Sequence, residues 1–540
     1  MNDLLIRGAT VYDGTGAPGR VADVAVRDGR IAAPGLARET LDAGGLALMP
    51  GIIDVHTHYD AQITWDPKLS PSPALGVTTA IMGNCGFGIA PCPGPLRETI
   101  LKNLSVVEGM DLNALLTGTR WEFESFAEYL DALERIRPHA NVGVLAGHST
   151  IRSAVMGEDA SHRARPTPAE LRRMQDIVRA ALASGAAGFA SSFSPNHSGW
   201  GGRAMPSTIC EDEELRALLE PLKEAGRGIF VVAAGARATP EYLEAIAADT
   251  GRPAFMVTVL TMYTDSNPGR AMTYYERCAA ALRRGHEVYI HANCQPLSFD
   301  FTLREPYPFM ALDAFERVKA ARAEELPAIY ADSAFRQAFR DSLKSPREGV
   351  LFSGDWSTVE VDGVPLPHLA DGGDPLDFFC DQPLGTQMIA KLFQNDDAGV
   401  APLLKHEAGV LALSDAGAHL VYFCDAGFGL HFLAHWVREL GVFTLEEGVR
   451  RLTSDPARKY RIPDRGEIRP GACADLLLFD PQAVGVSNLR RVGDLPGGGR
   501  RMIRDATGVH GVWVNGVRVH DGHDYTAARG PGHVLRRYDS

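Results

Sequence analysis

Two histidines separated by one residue, His56 and His58, follow the apolar run Gly51-Ile-Ile-Asp-Val. In an extended chain residues two apart face the same way, so both imidazoles can turn towards one ion. Such a pair serves equally well as two loop histidines held by hydrogen bonds; its place at the end of a buried strand favours ligation. Cys85 stands in Met82-Gly-Asn-Cys-Gly-Phe-Gly, where flanking glycines let the backbone approach a site closely. A thiolate there is a strong, soft ligand for a divalent cation. The plainer reading is a small buried thiol. Asp415, in Leu413-Ser-Asp-Ala-Gly-Ala-His, can touch a metal and take a proton from water, or can simply cap a helix. These residue types suit a zinc-type ion and metal-assisted hydrolysis.

Other polar groups follow further apolar runs. Gly147-His-Ser-Thr-Ile-Arg carries His148 and Arg152, and Ser191-Ser-Phe-Ser-Pro-Asn-His carries His197. An imidazole and a guanidinium at such places can bind an anionic substrate, with Arg152 as a carboxylate clamp. Each alone is more often structural. His419, four residues past Asp415, completes the expected substrate-binding set. Trp65, Phe87, Trp200 and Tyr263 could line an acyl pocket, or could be core.

The elements that must position these groups are legible as alternating runs. Eight apolar, β-branched runs begin at Gly51, Val77, Val142, Ala187, Gly228, Ala254, Glu287 and Val410. Helix-like stretches separate most of them. The clearest starts at Thr167-Pro-Ala-Glu, an N-cap with Pro at the first turn and Glu close behind. Eight buried strands alternating with helices predict an α/β fold, a (β/α)8 TIM-type barrel over 51–465, with catalytic groups at the C-terminal strand ends. First and eighth strands are neighbours in a closed barrel, so Asp415 should face His56 and His58. The gap at 296–408 is too long for a plain crossover and predicts an inserted lid. Both ends of the chain, 1–50 and 466–540, read as short alternating strands with tight turns, which predicts a small β-sandwich built from both termini.

Composition narrows the class. The chain has 540 residues, 45% of them hydrophobic and 22% charged, which suits a globular enzyme and excludes a disordered chain. A formal charge of −13 without a basic run argues against nucleic acid. No apolar run reaches the length of a membrane span. Eight cysteines at irregular spacing form no disulfide framework. The expectation is a cytoplasmic protein with a small-molecule substrate and no membrane partner; oligomeric state is not legible.

The same residues resemble the amidohydrolase superfamily, and within it the D-aminoacylase (N-acyl-D-amino-acid deacylase) group. The resemblance is carried by Leu5-Ile-Arg-Gly-Ala-Thr-Val-Tyr-Asp-Gly-Thr-Gly, Met49-Pro-Gly-Ile-Ile-Asp-Val-His-Thr-His-Tyr-Asp-Ala-Gln, Gly83-Asn-Cys-Gly-Phe-Gly-Ile-Ala-Pro, Leu413-Ser-Asp-Ala-Gly-Ala-His and Asp464-Arg-Gly-Glu-Ile-Arg-Pro-Gly-Ala-Cys-Ala-Asp-Leu. It implies His56, His58, Cys85 and Asp415 as metal ligands, Asp415 as general base and acid, and deacylation of an N-acyl amino acid. One departure stands out. The group places a metal histidine after the fifth strand and another after the sixth, where this chain reads Phe230-Val-Val-Ala-Ala-Gly-Ala-Arg and Phe255-Met-Val-Thr-Val-Leu-Thr-Met. One ion is therefore expected, with two allowed if His291, in Val288-Tyr-Ile-His-Ala-Asn-Cys, acts as a substitute ligand. His291 is equally readable as a barrel-wall histidine bonded to backbone. Non-hydrolytic chemistry at a one-metal site and a metal-free binding protein are the alternatives.

Overall fold

The computed structural model describes residues 1–258, 268–344, 352–418 and 426–539. Its centre is an eight-stranded parallel sheet: β1 (Ile52–Asp54), β2 (Val77–Met82), β3 (Asn141–Gly147), β4 (Gly188–Ser192), β5 (Ile229–Ala233), β6 (Ala254–Val257), β7 (Val288–Ala292) and β8 (Gly409–Leu411). Each pairs with its neighbour in chain order, for example Thr79 with Asn141, Phe230 with Ala254 and Ile290 with Gly409. Beyond the two outer strands, the segments that follow them are joined by a single parallel bridge between Thr57 and Ala416. Every residue of the eight is buried. That explains their continuous apolar sequences, because a parallel sheet covered on both faces has no wet side to alternate with. Ile53, Val55, Ile81, Leu145, Val231, Phe255 and Val410 belong to one interior cluster that also contains Tyr460.

Five helices bear on the site: α1 (Arg97–Val107), α2 (His148–Met156), α3 (Pro168–Ser184), α4 (Asp212–Ala225) and α5 (Ser454–Lys459). α3 starts as its sequence requires. Thr167 and Glu170 form a reciprocal capping box, Pro168 occupies the first turn, and Gly185 closes the helix at φ 111°.

The terminal segments share one sheet. Leu476–Phe479 pairs antiparallel with Ala47–Pro50, which lies parallel to Asn2–Val11, so the end of the chain is hydrogen-bonded to its beginning. Asn2–Val11 mostly alternates buried with less buried residues, the pattern of a half-covered strand. The C-terminal tail continues to the inner sheet, where Val534 bridges Val142 and the Tyr538 hydroxyl lies against Gly143.

The long gap contains a separate compact unit, Pro296–Asp397. It has its own antiparallel sheet, with Leu297–Phe301, Met388–Phe393 and Val359–Val361 in order. Its aromatic core includes Phe301, Phe309, Phe315, Phe339 and Phe379. Among the described residues, no helix is long and apolar enough to cross a membrane.

Candidate metal centre

β1 ends at Asp54, two residues short of the first histidine. The chain nevertheless continues along the sheet. The His58 N–H donates to Ala416 O at 2.7 Å, and the Asp415 N–H donates to His56 O at 3.2 Å. This backbone pairing fixes Asp415 beside the two histidines, as the order of the strands predicts. Asp415 takes φ 50° and Cys85 φ 57°, left-handed conformations that cost a non-glycine residue about 1–3 kcal/mol. Tight surroundings hold Cys85 there. A Cβ on Gly83 would lie 2.4 Å from Leu145 O, and one on Gly86 2.9 Å from Ala190 O, so the thiol loop is wedged against β3 and β4.

The side chains converge. His56 Nε2 lies 3.2 Å from His58 Nε2, 3.2 Å from Asp415 Oδ1 and 3.7 Å from Cys85 Sγ. His58 Nε2 lies 3.4 Å from the same Asp415 oxygen. A tetrahedral ion bonded to nitrogen at ~2.05 Å and to sulfur at ~2.3 Å sets its donors ~3.3 and ~3.5 Å apart, so the spacing fits such an ion. The donor set, two imidazoles with a thiol and a carboxylate, is of zinc type. Among the described residues His56, His58 and Cys85 form the one group with metal-binding geometry.

Behind the histidines lie further polar groups, of which Glu108 and Tyr460 fall outside the motifs. Glu108, which caps the C-terminus of α1, sets Oε1 3.4 Å from His58 Nδ1, and both side chains are buried. His291 Nδ1 lies 3.2 Å from His56 Nδ1, and His291 Nε2 lies 2.6 Å from the Tyr460 hydroxyl. Asp54 accepts from the His56 N–H at 3.2 Å and from the Ser414 hydroxyl. Asp54 is not among the residues expected from the sequence, although a carboxylate inside an apolar strand is a signal that could have marked it. Glu108 and Tyr460 gave no sequence signal, since tertiary packing alone brings them here.

Burial dominates the electrostatics. It pushes Asp54 and Glu108 up to about 7, Asp60 up to about 6 and the Cys85 thiol up to about 12. Burial alone would lower His58, but the Glu108 carboxylate, with help from Asp415 and Cys85, raises it well above the usual imidazole range. Burial would raise Asp415, yet hydrogen bonds from His56 and His58 hold it well below the ordinary carboxylate value. The pocket gathers carboxylates and a thiol around two imidazoles, an arrangement that a cation would balance.

The expected substrate residues are placed differently. Arg152 is fully buried, its Nε donating to Glu214 Oε1 at 2.9 Å and its terminal nitrogens to the carbonyls of Ala160, Pro206, Arg163 and Ala164. His148 uses Nδ1 on Ser191 Oγ and Nε2 on Glu214 Oε1, both at 2.9 Å. These two side chains form a buried brace, and the carboxylate-clamp expectation for Arg152 is corrected: its guanidinium is already saturated. His148 is the first residue of α2 and Arg152 lies one turn on, so both reach one glutamate. His197 differs. Its ring packs edge-on to Phe87 at 5.0 Å, two residues from Cys85, and Nδ1 lies 2.7 Å from Ser192 Oγ. His419 and Tyr263 lie outside the described residues. Phe87 is core, whereas Trp200 is 46% exposed. His291 is not in the donor cluster; its ring nitrogens meet His56 Nδ1 and Tyr460.

The model of the Amidohydrolase family matches residues 39–254 and 399–520. A D-aminoacylase of Alcaligenes xylosoxydans xylosoxydans is 29% identical over 99% of this chain and 98% of its own. The crystal structure of N-acyl-D-glutamate deacylase from Bordetella bronchiseptica, complexed with zinc and a phosphonate inhibitor, is 28% identical with a TM-score of 0.67, over 99% of this chain and 100% of that one. A D-aminoacylase described by a binuclear metal centre with one-metal activation and second-metal attenuation is 26% identical with a TM-score of 0.69, over the same shares.

Proposed function

Because the chain belongs to the amidohydrolase family, we propose that it is a metal-dependent hydrolase that cleaves the amide C–N bond of a small N-acyl amino acid. The observation that carries this reading is the cluster of His56, His58 and Cys85, with Asp415 Oδ1 lying 3.2 and 3.4 Å from the two imidazoles. His56, His58 and Cys85 would hold a zinc-type ion, with Asp415 at its edge. Such an ion, when bound, polarises a carbonyl oxygen and lowers the pKa of water towards ~7. Asp415 takes the proton of the attacking water and returns it to the leaving nitrogen. His197, beside Phe87, is the remaining described candidate for substrate contact. The D-aminoacylase and N-acyl-D-glutamate deacylase relatives favour N-acyl-D-amino acids as the first substrates to try.

In this reading the sheet is a (β/α)8 barrel over 51–465, the termini 1–50 and 466–540 form a β-sandwich, and 296–408 is the lid. A cytoplasmic setting is supported by free thiols such as Cys85, Cys92 and Cys210. The test is metal content on protein purified without chelator, with hydrolysis of N-acyl-D- and N-acyl-L-amino acids by wild type, Cys85→Ala and His56→Ala. About one zinc per chain in the wild type, lost with activity in both variants, is the expected result. A wild type without metal would overturn it.

The missing fifth- and sixth-strand histidines favour one second reading, a non-hydrolytic reaction at a one-metal site. Oxygen from labelled water in the product separates the two.

A further inference from the structure

His291 sits in β7 with no exposed surface, and its two ring nitrogens are both within hydrogen-bond distance of a partner. Nδ1 faces Nδ1 of His56 at 3.2 Å, with the rings edge to face at 81°. Nε2 faces the hydroxyl of Tyr460 at 2.6 Å. Tyr460 directly follows α5, and its ring is packed on Phe255 at 4.5 Å, so the hydroxyl is held in place by core contacts. The line His56–His291–Tyr460 therefore joins the metal locus to the barrel interior through atoms that are all buried.

Proton counting along this line leaves little choice. Two facing ring nitrogens make a hydrogen bond only if one of them, and not both, carries the hydrogen. His56 turns Nε2 towards His58, Cys85 and Asp415. To present a lone pair there, a neutral His56 must carry its hydrogen on Nδ1 and donate it to His291 Nδ1. His291 must then carry its own hydrogen on Nε2 and donate it to the Tyr460 oxygen. We infer that His291, anchored by Tyr460, is the positioning residue that fixes the tautomer and ring orientation of His56. The inference rests on the metal-dependent reading above.

The two ligand histidines thereby differ in what stands behind them. His58 has a carboxylate, Glu108, against its Nδ1 at 3.4 Å, and His56 has a neutral imidazole. A carboxylate partner makes a histidine a more basic ligand, whereas a neutral acceptor orients it without adding charge. The same contact explains why His291 does not replace a missing ligand: its lone pair is used on the back of His56.

The test is cobalt(II) binding to the metal-free full-length protein, measured by chelator competition with the absorption spectrum of the bound ion, in wild type, His291→Met, His291→Gln and Tyr460→Phe. Met fills the space without accepting a hydrogen bond, whereas the Gln carbonyl can accept from Nδ1–H. Expected is one cobalt per chain throughout, affinity about 10–100-fold weaker for H291M, most of it regained by H291Q, and a smaller loss for Y460F. Equal unfolding midpoints of metal-free H291M and H291Q would show that the split is not a folding effect. Unchanged affinity in H291M overturns the inference and leaves the metal reading intact. So does a changed cobalt spectrum or stoichiometry in H291M and H291Q alike, which would make His291 a direct ligand. Failure of H291Q to regain affinity also overturns it. No cobalt binding by the wild type overturns the inference together with the reading it rests on.

Discussion

Glu108 Oε1 stands 3.4 Å from Nδ1 of His58, and the two side chains are 4% and 3% exposed. A carboxylate charge behind a ligating imidazole raises its basicity, and loss of such a partner typically costs 10–100-fold in metal affinity. Glu108→Gln keeps the shape and removes the charge. Its metal affinity should fall by about that factor, read by competition with a chelator of known strength. An unchanged affinity would reduce Glu108 to a buried acid with no part in ligation.

Asp415 separates binding from turnover. Its Oδ1 lies within 3.4 Å of both histidine Nε2 atoms, yet His56, His58 and Cys85 alone supply three donors. Asp415→Asn should retain about one metal per chain while hydrolysis falls about 10²–10⁴-fold, the usual worth of a positioned acid–base group. Metal analysis and initial rates on the same preparation decide it. A variant with full activity would remove Asp415 from the base role.

The candidate donors could be picked out in the sequence because each follows a buried apolar run, and such runs carry their strand-end residues to one rim. What stands behind them could not. Glu108 arrives from the end of α1 and Tyr460 from beyond α5, and no local pattern marks the contacts they make with His58 and His291, 50 and 169 positions away. Arg152 shows the opposite limit. Its position after the third run was read correctly, but the sequence does not reveal that α2 begins at His148 and turns both residues onto Glu214. The terminal strands could be recognised by their alternation, whereas the pairing of Leu476–Phe479 with Ala47–Pro50 is a long-range choice that alternation leaves open.

That brace predicts a stability phenotype. Arg152→Met would leave Glu214 buried with one oxygen already lacking a hydrogen-bond partner. Breaking a buried pair by removing one partner costs about 3–5 kcal/mol. Denaturant unfolding should show a loss of that order, with KM nearly unchanged in whatever fraction folds. A selective rise in KM at wild-type stability would restore Arg152 to the substrate site.

Lys459 offers a test by pH. Its ammonium donates to Gly409 O and to Asp455 Oδ2, both at 2.9 Å, at the start of the strand that leads to Asp415. Burial is the largest influence and lowers it from 10.5 to about 8, although Asp455 opposes the shift. Between those values the unfolded chain binds a proton that the folded chain does not. Stability from this group therefore rises with pH from about 8 to 10.5, and below 8 the cost of the buried charge is fully present. Other titrating groups contribute to the total, so the informative quantity is the difference between wild type and Lys459→Met, in which they cancel. Asp455 keeps Arg451 and Arg458 as partners in the variant, so its own charge stays paired. The wild-type advantage in urea unfolding should grow from pH 7.5 to 9.5. A flat difference would mean that Lys459 titrates like an exposed lysine, with Asp455 fully offsetting its burial.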